Sequence, residues 1–360
     1  MFTPFPVCLL CLLARARAFA LSDWDFQGGT SGDDRGQSVS SDSSNHALVA
    51  GWTSGNLSCT NAGGKDIFLM KLDRTDNSIA VLQVGTSEDD AAQAIAVDSL
   101  DNLIIAGYTL GPLDGVTTTG GVEDGFLMKF DNDGAWQWTV QVGSETSADN
   151  IRSIAVAAND DIVAVGSSAG TIDGVSSSGV SDFLIIRYDN DGMWQWTRMR
   201  GSAAGDDATS VVIDNGGNII LAGGTRGDMD GHTNAGLDDL AVVKYDSAGN
   251  WLWTHQSGSP AADWFRAVVT DSSDNIYADR SNSKIFVTGV TDGDLDGHTD
   301  TDPDIFLMQF DLDGNWESTT FHGSSARDVA LGLHLDRSKN NFINRLYFGL
   351  VPWIHQCWRQ

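Results

Sequence analysis

One acidic, glycine-punctuated element returns six times along this chain, and no other feature limits the fold as tightly. It reads GTSGDD at 29–34, GTSEDD at 85–90, GSETSAD at 143–149, GSAAGDD at 201–207, GSPAAD at 258–263 and GSSARD at 323–328. A fixed period of this size means stacked supersecondary units. Asp66, Asp124, Asp182, Asp239 and Asp304 each open an apolar run, at steps of 58, 58, 57 and 65 residues. Gly51, Gly107, Gly166, Gly223 and Gly289 close another run at similar steps. The longer last step marks an insertion around residues 278–284.

Each unit contains four short segments rich in β-branched and aromatic residues and bounded by Gly, Asp, Asn and Ser. In the second unit they are AQAIAVD (92–98), NLIIAGYT (102–109), GFLMKFD (125–131) and WQWTVQVG (136–143), here called A to D. No segment has a helical period of useful length. Four antiparallel strands repeated radially describe an all-β fold, a β-propeller blade. A parallel β-helix is the alternative, but its repeats are shorter. FDNDGAW, YDNDGMW, YDSAGNW and FDLDGNW join strand C to strand D. Asp at the start and Gly three residues later suit a type I turn closed by a positive-φ residue.

The pattern G-x-L-D-G…G-x-x-D-F-L-x-K-Y-D-x-x-G-x-W-x-W…G-S…D-A…I-A-V-D…N-I-I-x-A-G-x-T resembles the SBBP family of bacterial β-propeller repeats over most of 22–336. The resemblance implies a secreted or surface-associated propeller and brings no catalytic residues.

Residues 23–29 (DWDFQGG) have the spacing of a D strand, with Trp24 five residues before Gly29 as Trp138 is before Gly143. Such a strand can complete the last blade and remove a sheet edge. A sixth unit supplies a strand A at 328–336 and a strand B at 345–349, after which the pattern is lost. The expectation is six blades, the last imperfect: a leader at 1–20, repeats over 21–336 and a divergent tail at 337–360. A truncated product and five closed blades remain alternatives.

The leader expectation rests on a short apolar run, Val7–Leu13, before Ala18-Phe19-Ala20, a small-residue cleavage pattern. It places the protein outside the cell or on its surface. Asn56-Leu57-Ser58 is a glycosylation sequon, meaningful only in a secreted eukaryotic chain. Cys59 and Cys357 are the cysteines outside the leader, and a closed ring would let them pair. No run is long enough to span a membrane. The net charge of −28 argues against nucleic acid and anionic membranes as partners and favours cations or basic proteins. Eight Trp fall on D strands, where inter-blade packing is the expectation and an aromatic sugar platform the alternative.

In an up-and-down blade the D→A and B→C connections emerge at one end. They carry most of the acids, and the fifth B→C loop, TDGDLDGHTDTDPD (291–304), is the densest. Acids that recur in every copy, such as Asp34, Asp90, Asp149, Asp206, Asp263 and Asp328, are expected to satisfy turn N–H groups. The non-recurrent Asp292, Asp294, Asp296, Asp300 and Asp302 are the metal-ligand candidates, with calcium as the ion, since hard cations take carboxylate and carbonyl oxygens. The DNDG turns lack the full calcium-loop spacing. His232 and His298 repeat one position and form no metal set. The Arg226-Gly227-Asp228 tripeptide is read as chance. No nucleophile elbow, P-loop or zinc motif is present.

The leading expectation is therefore a secreted or cell-surface binding or scaffold module whose acidic loop face takes divalent cations, a basic protein or a glycan. An alternative is a lyase or hydrolase using the central funnel, for which Lys65 and Arg152 are the nearest cationic candidates. A product without activity is the third.

Overall fold

The computed structural model describes residues 28–73, 78–116, 122–270, 284–293, 295, 304–322, 328–335 and 341–347. The first sheet is built from β1 (Asp34–Ser41), β2 (Ala47–Thr53), β3 (Asp66–Leu72) and β4 (Ser78–Val84), the second from β5 (Asp90–Val97), β6 (Leu103–Thr109), β7 (Asp124–Phe130) and β8 (Trp136–Val142). In the third, β9 (Asp149–Val156) and β10 (Ile162–Ser168) precede a small hairpin of β11 (Thr171–Ile172) and β12 (Val175–Ser176), then β13 (Asp182–Tyr188) and β14 (Trp194–Arg200). The fourth holds β15 (Asp206–Ile213), β16 (Ile219–Thr225), β17 (Asp239–Tyr245) and β18 (Trp251–Ser257). The fifth holds β19 (Asp263–Thr270), β20 (Lys284–Thr291), β21 (Asp304–Asp311) and β22 (Trp316–His322), and the sixth β23 (Asp328–Leu335) and β24 (Asn341–Tyr347). Every sheet keeps its main strands in sequence order. Serial four-stranded antiparallel sheets of this kind are the blades of a β-propeller. There are five full blades and a sixth with two described strands, which runs from 341 rather than the expected 345 in its second strand.

Two compact units divide the chain: residues 1–162, 170–174 and 188–195 in one, residues 163–169, 175–187 and 196–360 in the other. Within the first, β5 packs on β1, β2 and β3, and β9 on β5, β6 and β7; within the second, β19 packs on β15, β16 and β17, and β23 on β19, β20 and β21. Strands B and C are therefore covered on both faces. This is why they read as near-continuous apolar runs: β6 is LIIAGYT and β13 is DFLIIRY, each buried at all but one position. Strands A and D are less covered: β1 alternates between half-buried and exposed positions, and β8 and β14 begin exposed and become half-buried along their length. Ile67, Leu103, Ile105, Phe126 and Met128 centre the core between the first two blades, and Ile220, Val242, Ile285, Phe306 and Phe310 that between the fourth and fifth.

The recurrent glycine of strand B has a steric cause. The A strands β1, β5, β15, β19 and β23 each carry a bulge, between Ala92 and Ala94 in the second blade, and Gly107 lies opposite Ala92. A Cβ on Gly107 would sit 1.9 Å from the Ala91 carbonyl oxygen.

The leader at 1–20, Cys357, residues 278–283 of the insertion expected at 278–284, and residues 23–27 of the strand expected at 23–29 lie outside the described residues, and residues 28 and 29 are not in a strand. No helix among the described residues is long and apolar enough to cross a membrane.

Candidate binding face on the acidic loops

In the five full blades the loop before strand A is closed by its own aspartate. The Asp90 carboxylate accepts the Thr86 N–H at 2.5 Å and the Thr86 hydroxyl at 2.9 Å, and takes the Thr109 hydroxyl from the adjacent strand. Asp149, Asp206 and Asp263 repeat the arrangement with Ser144, Ser202 and Ser259, all four being buried. The recurrent acids are thus turn-formers, as their repetition implies.

The acid that opens strand C in the first, third and fourth blades, Asp66, Asp182 or Asp239, faces the next of these. A Cβ on Gly201 would lie 2.6 Å from Asp182 Oδ1 and 2.5 Å from Asp206 Oδ2. The Oδ1 atoms of Asp66, Asp182 and Asp239 are buried and have no hydrogen-bond partner. Burial, with the facing carboxylate of Asp66, Asp182 or Asp239 adding to it, raises the proton affinity of Asp90, Asp206 and Asp263 despite their hydrogen bonds.

Strand D supplies a residue that sequence reasoning passed over. Gln141 accepts the Leu113 N–H and donates to the Gly111 carbonyl and Asp124. Gln256 does the same for Met229, Gly227 and Asp239, and Gln83 for Leu57, Gly55 and Asp66. In the first, second and fourth blades the glutamine pins the B→C loop to the outer strand, where the third and fifth blades have Met199 and Phe321, and Leu113 and Met229 anchor their loops in the core. The signal was the Gln two residues before the glycine that closes strand D.

This docking corrects the expected placement of some acids. Asp114 and Asp230 fold back along their own blade, where each accepts a hydroxyl from mid-strand D, Thr139 and Thr254. The acids left exposed in the D→A and B→C loops include Asp33, Glu88 and Glu145 in the first unit and Asp228 and Asp292 in the second. Of the expected metal ligands, Asp292 is exposed just beyond β20, and Asp294, Asp296, Asp300 and Asp302 lie outside the described residues. Among the described residues no three His, Cys, Asp or Glu side chains group as a metal ion would require.

The loop cations are neutralised locally. Lys65 Nζ lies 2.6 Å from Asp89 and 5.2 Å from the Trp52 ring centroid, and the Asp89 hydrogen bond raises its pKa above the ordinary lysine value. A lysine so held is charged and is no general base. Arg226 Nε donates to Asp238 at 2.6 Å, so the Arg226-Gly227-Asp228 tripeptide is tied into its own loop. Arg152 is exposed on β9, and Cys59 is exposed and pairs with no cysteine among the described residues.

The tryptophan pairs divide between two roles. The second Trp packs between blades as expected: Trp138 Nε1 donates to the Asn190 carbonyl and Trp253 Nε1 to Leu312, both at 3.2 Å. The first does not. Trp136, Trp194, Trp251 and Trp316 are 54, 52, 44 and 49% exposed.

No family model matches the chain. Among curated proteins it is similar to the regulatory protein FlaEY of Caulobacter vibrioides, 25% identical over 267 residues, which cover 63% of this chain and 27% of that protein. An uncharacterized WD repeat-containing protein of Acanthamoeba polyphaga mimivirus is 22% identical over 220 residues, 55% of this chain and 14% of that one. The chain thus spans 27% and 14% of the curated relatives it matches. Among solved structures, a PL25 ulvan lyase covers 88% of this chain and 78% of its own at TM-score 0.54 and 10% identity. A NanB sialidase variant from Streptococcus pneumoniae covers 88% and 65% at TM-score 0.52 and 9% identity. These likenesses support the propeller fold alone.

Proposed function

We propose that this chain is a β-propeller binding module whose acidic loops receive a basic protein. The observation that carries the reading is the fate of the charges. Recurrent acids are consumed by their own turns, and Lys65 and Arg226 are each matched by an aspartate. Asp33, Glu88, Glu145, Asp228 and Asp292 then remain exposed on a chain of net charge −28. Such a surface draws cationic partners and repels nucleic acid. The leader-like residues 1–20 support a place outside the cell. Propellers serve widely as rigid platforms with function carried on loops.

Cytochrome c, a basic protein, is the probe. Binding measured by calorimetry at low ionic strength is expected to weaken steeply between 20 and 200 mM salt on the order of a Debye-length argument, and to weaken again in a D33N/E88Q/E145Q variant. Absence of binding at low salt, or binding indifferent to both changes, overturns the reading. The same titration in calcium and then in EDTA tests the calcium expectation for the 291–304 loop.

A further inference from the structure

In the second unit, the chain binds one of its own arginines. Arg200, the last residue of β14, donates from Nε to Asp230 Oδ2 at 2.7 Å and from Nη2 to Asp230 Oδ1 at 2.5 Å. Its guanidinium carbon lies 4.2 Å from the centroid of the Trp251 ring. Tyr245 lies close enough to couple electrostatically with the same guanidinium. Asp230 sits at φ 52°, a left-handed conformation that aims its carboxylate at the outer strand. A planar fork on a carboxylate with an aromatic face beside it is the recognition geometry of arginine.

One repeat earlier, in the first unit, the receptor residues return without the arginine. Asp173 takes the Asp230 position at the same φ of 52°, Tyr188 that of Tyr245, and Trp194 that of Trp251. Val142 ends its D strand where Arg200 ends the next. Asp173, Tyr188, Trp194, Val142, Met193 and Ile172 are among the residues that line a cavity of about 360 Å³. The second blade departs from the set, with Phe130 in the tyrosine position.

We propose that this cavity is a receptor for the guanidinium of an arginine side chain on a partner polypeptide. The proposal rests on the basic-partner reading above and gives that partner a chemistry. The guanidinium stacks on Trp194 and forks on Asp173, as Arg200 does on Trp251 and Asp230 in its own clamp, with Tyr188 beside it. Lysine fits less well, because its ammonium is a compact, strongly hydrated point charge without the planar fork. The cavity exceeds a guanidinium and leaves room for the aliphatic stem beneath Met193, which is 64% exposed at the cavity wall. The negative net charge of the chain favours approach of such a group.

The test uses the full chain and two capped tripeptides, Ac-Gly-Arg-Gly-NH2 and Ac-Gly-Lys-Gly-NH2, followed by the Trp194 indole N–H resonance. The arginine peptide is expected to move that signal saturably, with Kd on the order of 1 mM for so small a ligand, and the lysine peptide to bind at least about tenfold more weakly. Asp173→Asn, at an exposed position, is expected to cost about tenfold or more. Val142→Arg supplies the guanidinium in cis and is expected to abolish binding, whereas Asp230→Asn leaves it unchanged. Equal affinities for the two peptides, or full binding by Asp173→Asn, overturn the proposal even if Val142→Arg does not fold. A protein that still binds cytochrome c in a salt-dependent way, but shows no Trp194 response to the arginine peptide, keeps the basic-partner reading and loses this one. Loss of cytochrome c binding with the peptide response intact does the reverse.

Discussion

Lys129 Nζ lies 2.8 Å from Asp98 Oδ2, and the two side chains are only 5 and 0% exposed. Lys129 sits on strand C and Asp98 in the A→B turn of the same blade. Lys71 with Asp42 and Lys244 with Asp214 repeat the pair at 3.0 and 3.1 Å. Each lysine also reaches a carbonyl in a later turn, that of Asn132, Asn190 or Leu312. Burial favours the protonated form of Asp98, but the Lys129 and Asn102 hydrogen bonds outweigh it and hold its pKa below the ordinary value. Removing one partner strands a buried charge. Lys129→Ala is expected to cost about 3–5 kcal/mol in urea unfolding. Lys65→Ala, which breaks the more exposed pair with Asp89, is expected to cost at most about 1 kcal/mol. Equal losses would mean that the Lys129 pair is not a buried one in solution.

Gln256 offers a second contrast. Its side chain satisfies the Met229 N–H, the Gly227 carbonyl and the Asp239 carboxylate together. Gln256→Leu keeps the approximate volume and leaves these groups without their partner. A loss of about 2–3 kcal/mol is expected, with faster amide hydrogen exchange confined to residues 226–238. Uniform exchange across the blade would show that the glutamine supports the whole sheet rather than the loop.

The blades were legible in the sequence because a repeat reports the same local solution several times. Asp66, Asp124, Asp182, Asp239 and Asp304 fall at the first residue of strand C in all five full blades. The role of the recurrent aspartates as turn-formers was legible for the same reason. What repetition concealed is any position whose partner belongs to another segment. Gln141 reads as an ordinary strand residue until Gly111 and Asp124 are brought to it. Trp136 and Trp138 are indistinguishable by composition, yet one is exposed and the other lies against the Asn190 turn. Arg200 stood out least, because its meaning depends on Asp230 and Trp251, which lie in the next repeat.

The C→D turns separate conformational strain from packing. Gly134 and Gly314 share φ of 86°. A Cβ on Gly134 meets nothing within 4 Å, whereas on Gly314 it would lie 2.6 Å from the Trp253 ring. Gly134→Ala is expected to cost about 1–2 kcal/mol from the left-handed backbone alone. Gly314→Ala adds displacement of Trp253 and its hydrogen bond to Leu312, for a further ~1–3 kcal/mol, with a change in tryptophan emission that Gly134→Ala lacks. Identical losses would place the Trp253 ring away from that turn.

The buried aspartates predict opposite slopes of stability with pH. The Asp42 carboxyl is pushed up by burial, but the His46 side chain and backbone and Lys71 hold it down to about 2. Its contribution is present above the ordinary carboxylate pKa near 4 and is lost as pH falls toward 2, because the unfolded chain then takes up the proton first. Asp206 is the reverse case: burial, with the Asp182 carboxylate facing it, raises its pKa. The folded state holds that proton more tightly. Its contribution is therefore full below pH ~4 and declines as pH rises through the folded pKa. Urea midpoints across this range are expected to fall on both sides of a mildly acidic maximum. Asp42→Asn should flatten the acid limb and Asp206→Asn the other, and Asp182→Asn should shift the second limb to lower pH by removing the facing charge. If the limb above the maximum keeps its slope in Asp206→Asn and its position in Asp182→Asn, the facing carboxylates do not share a proton.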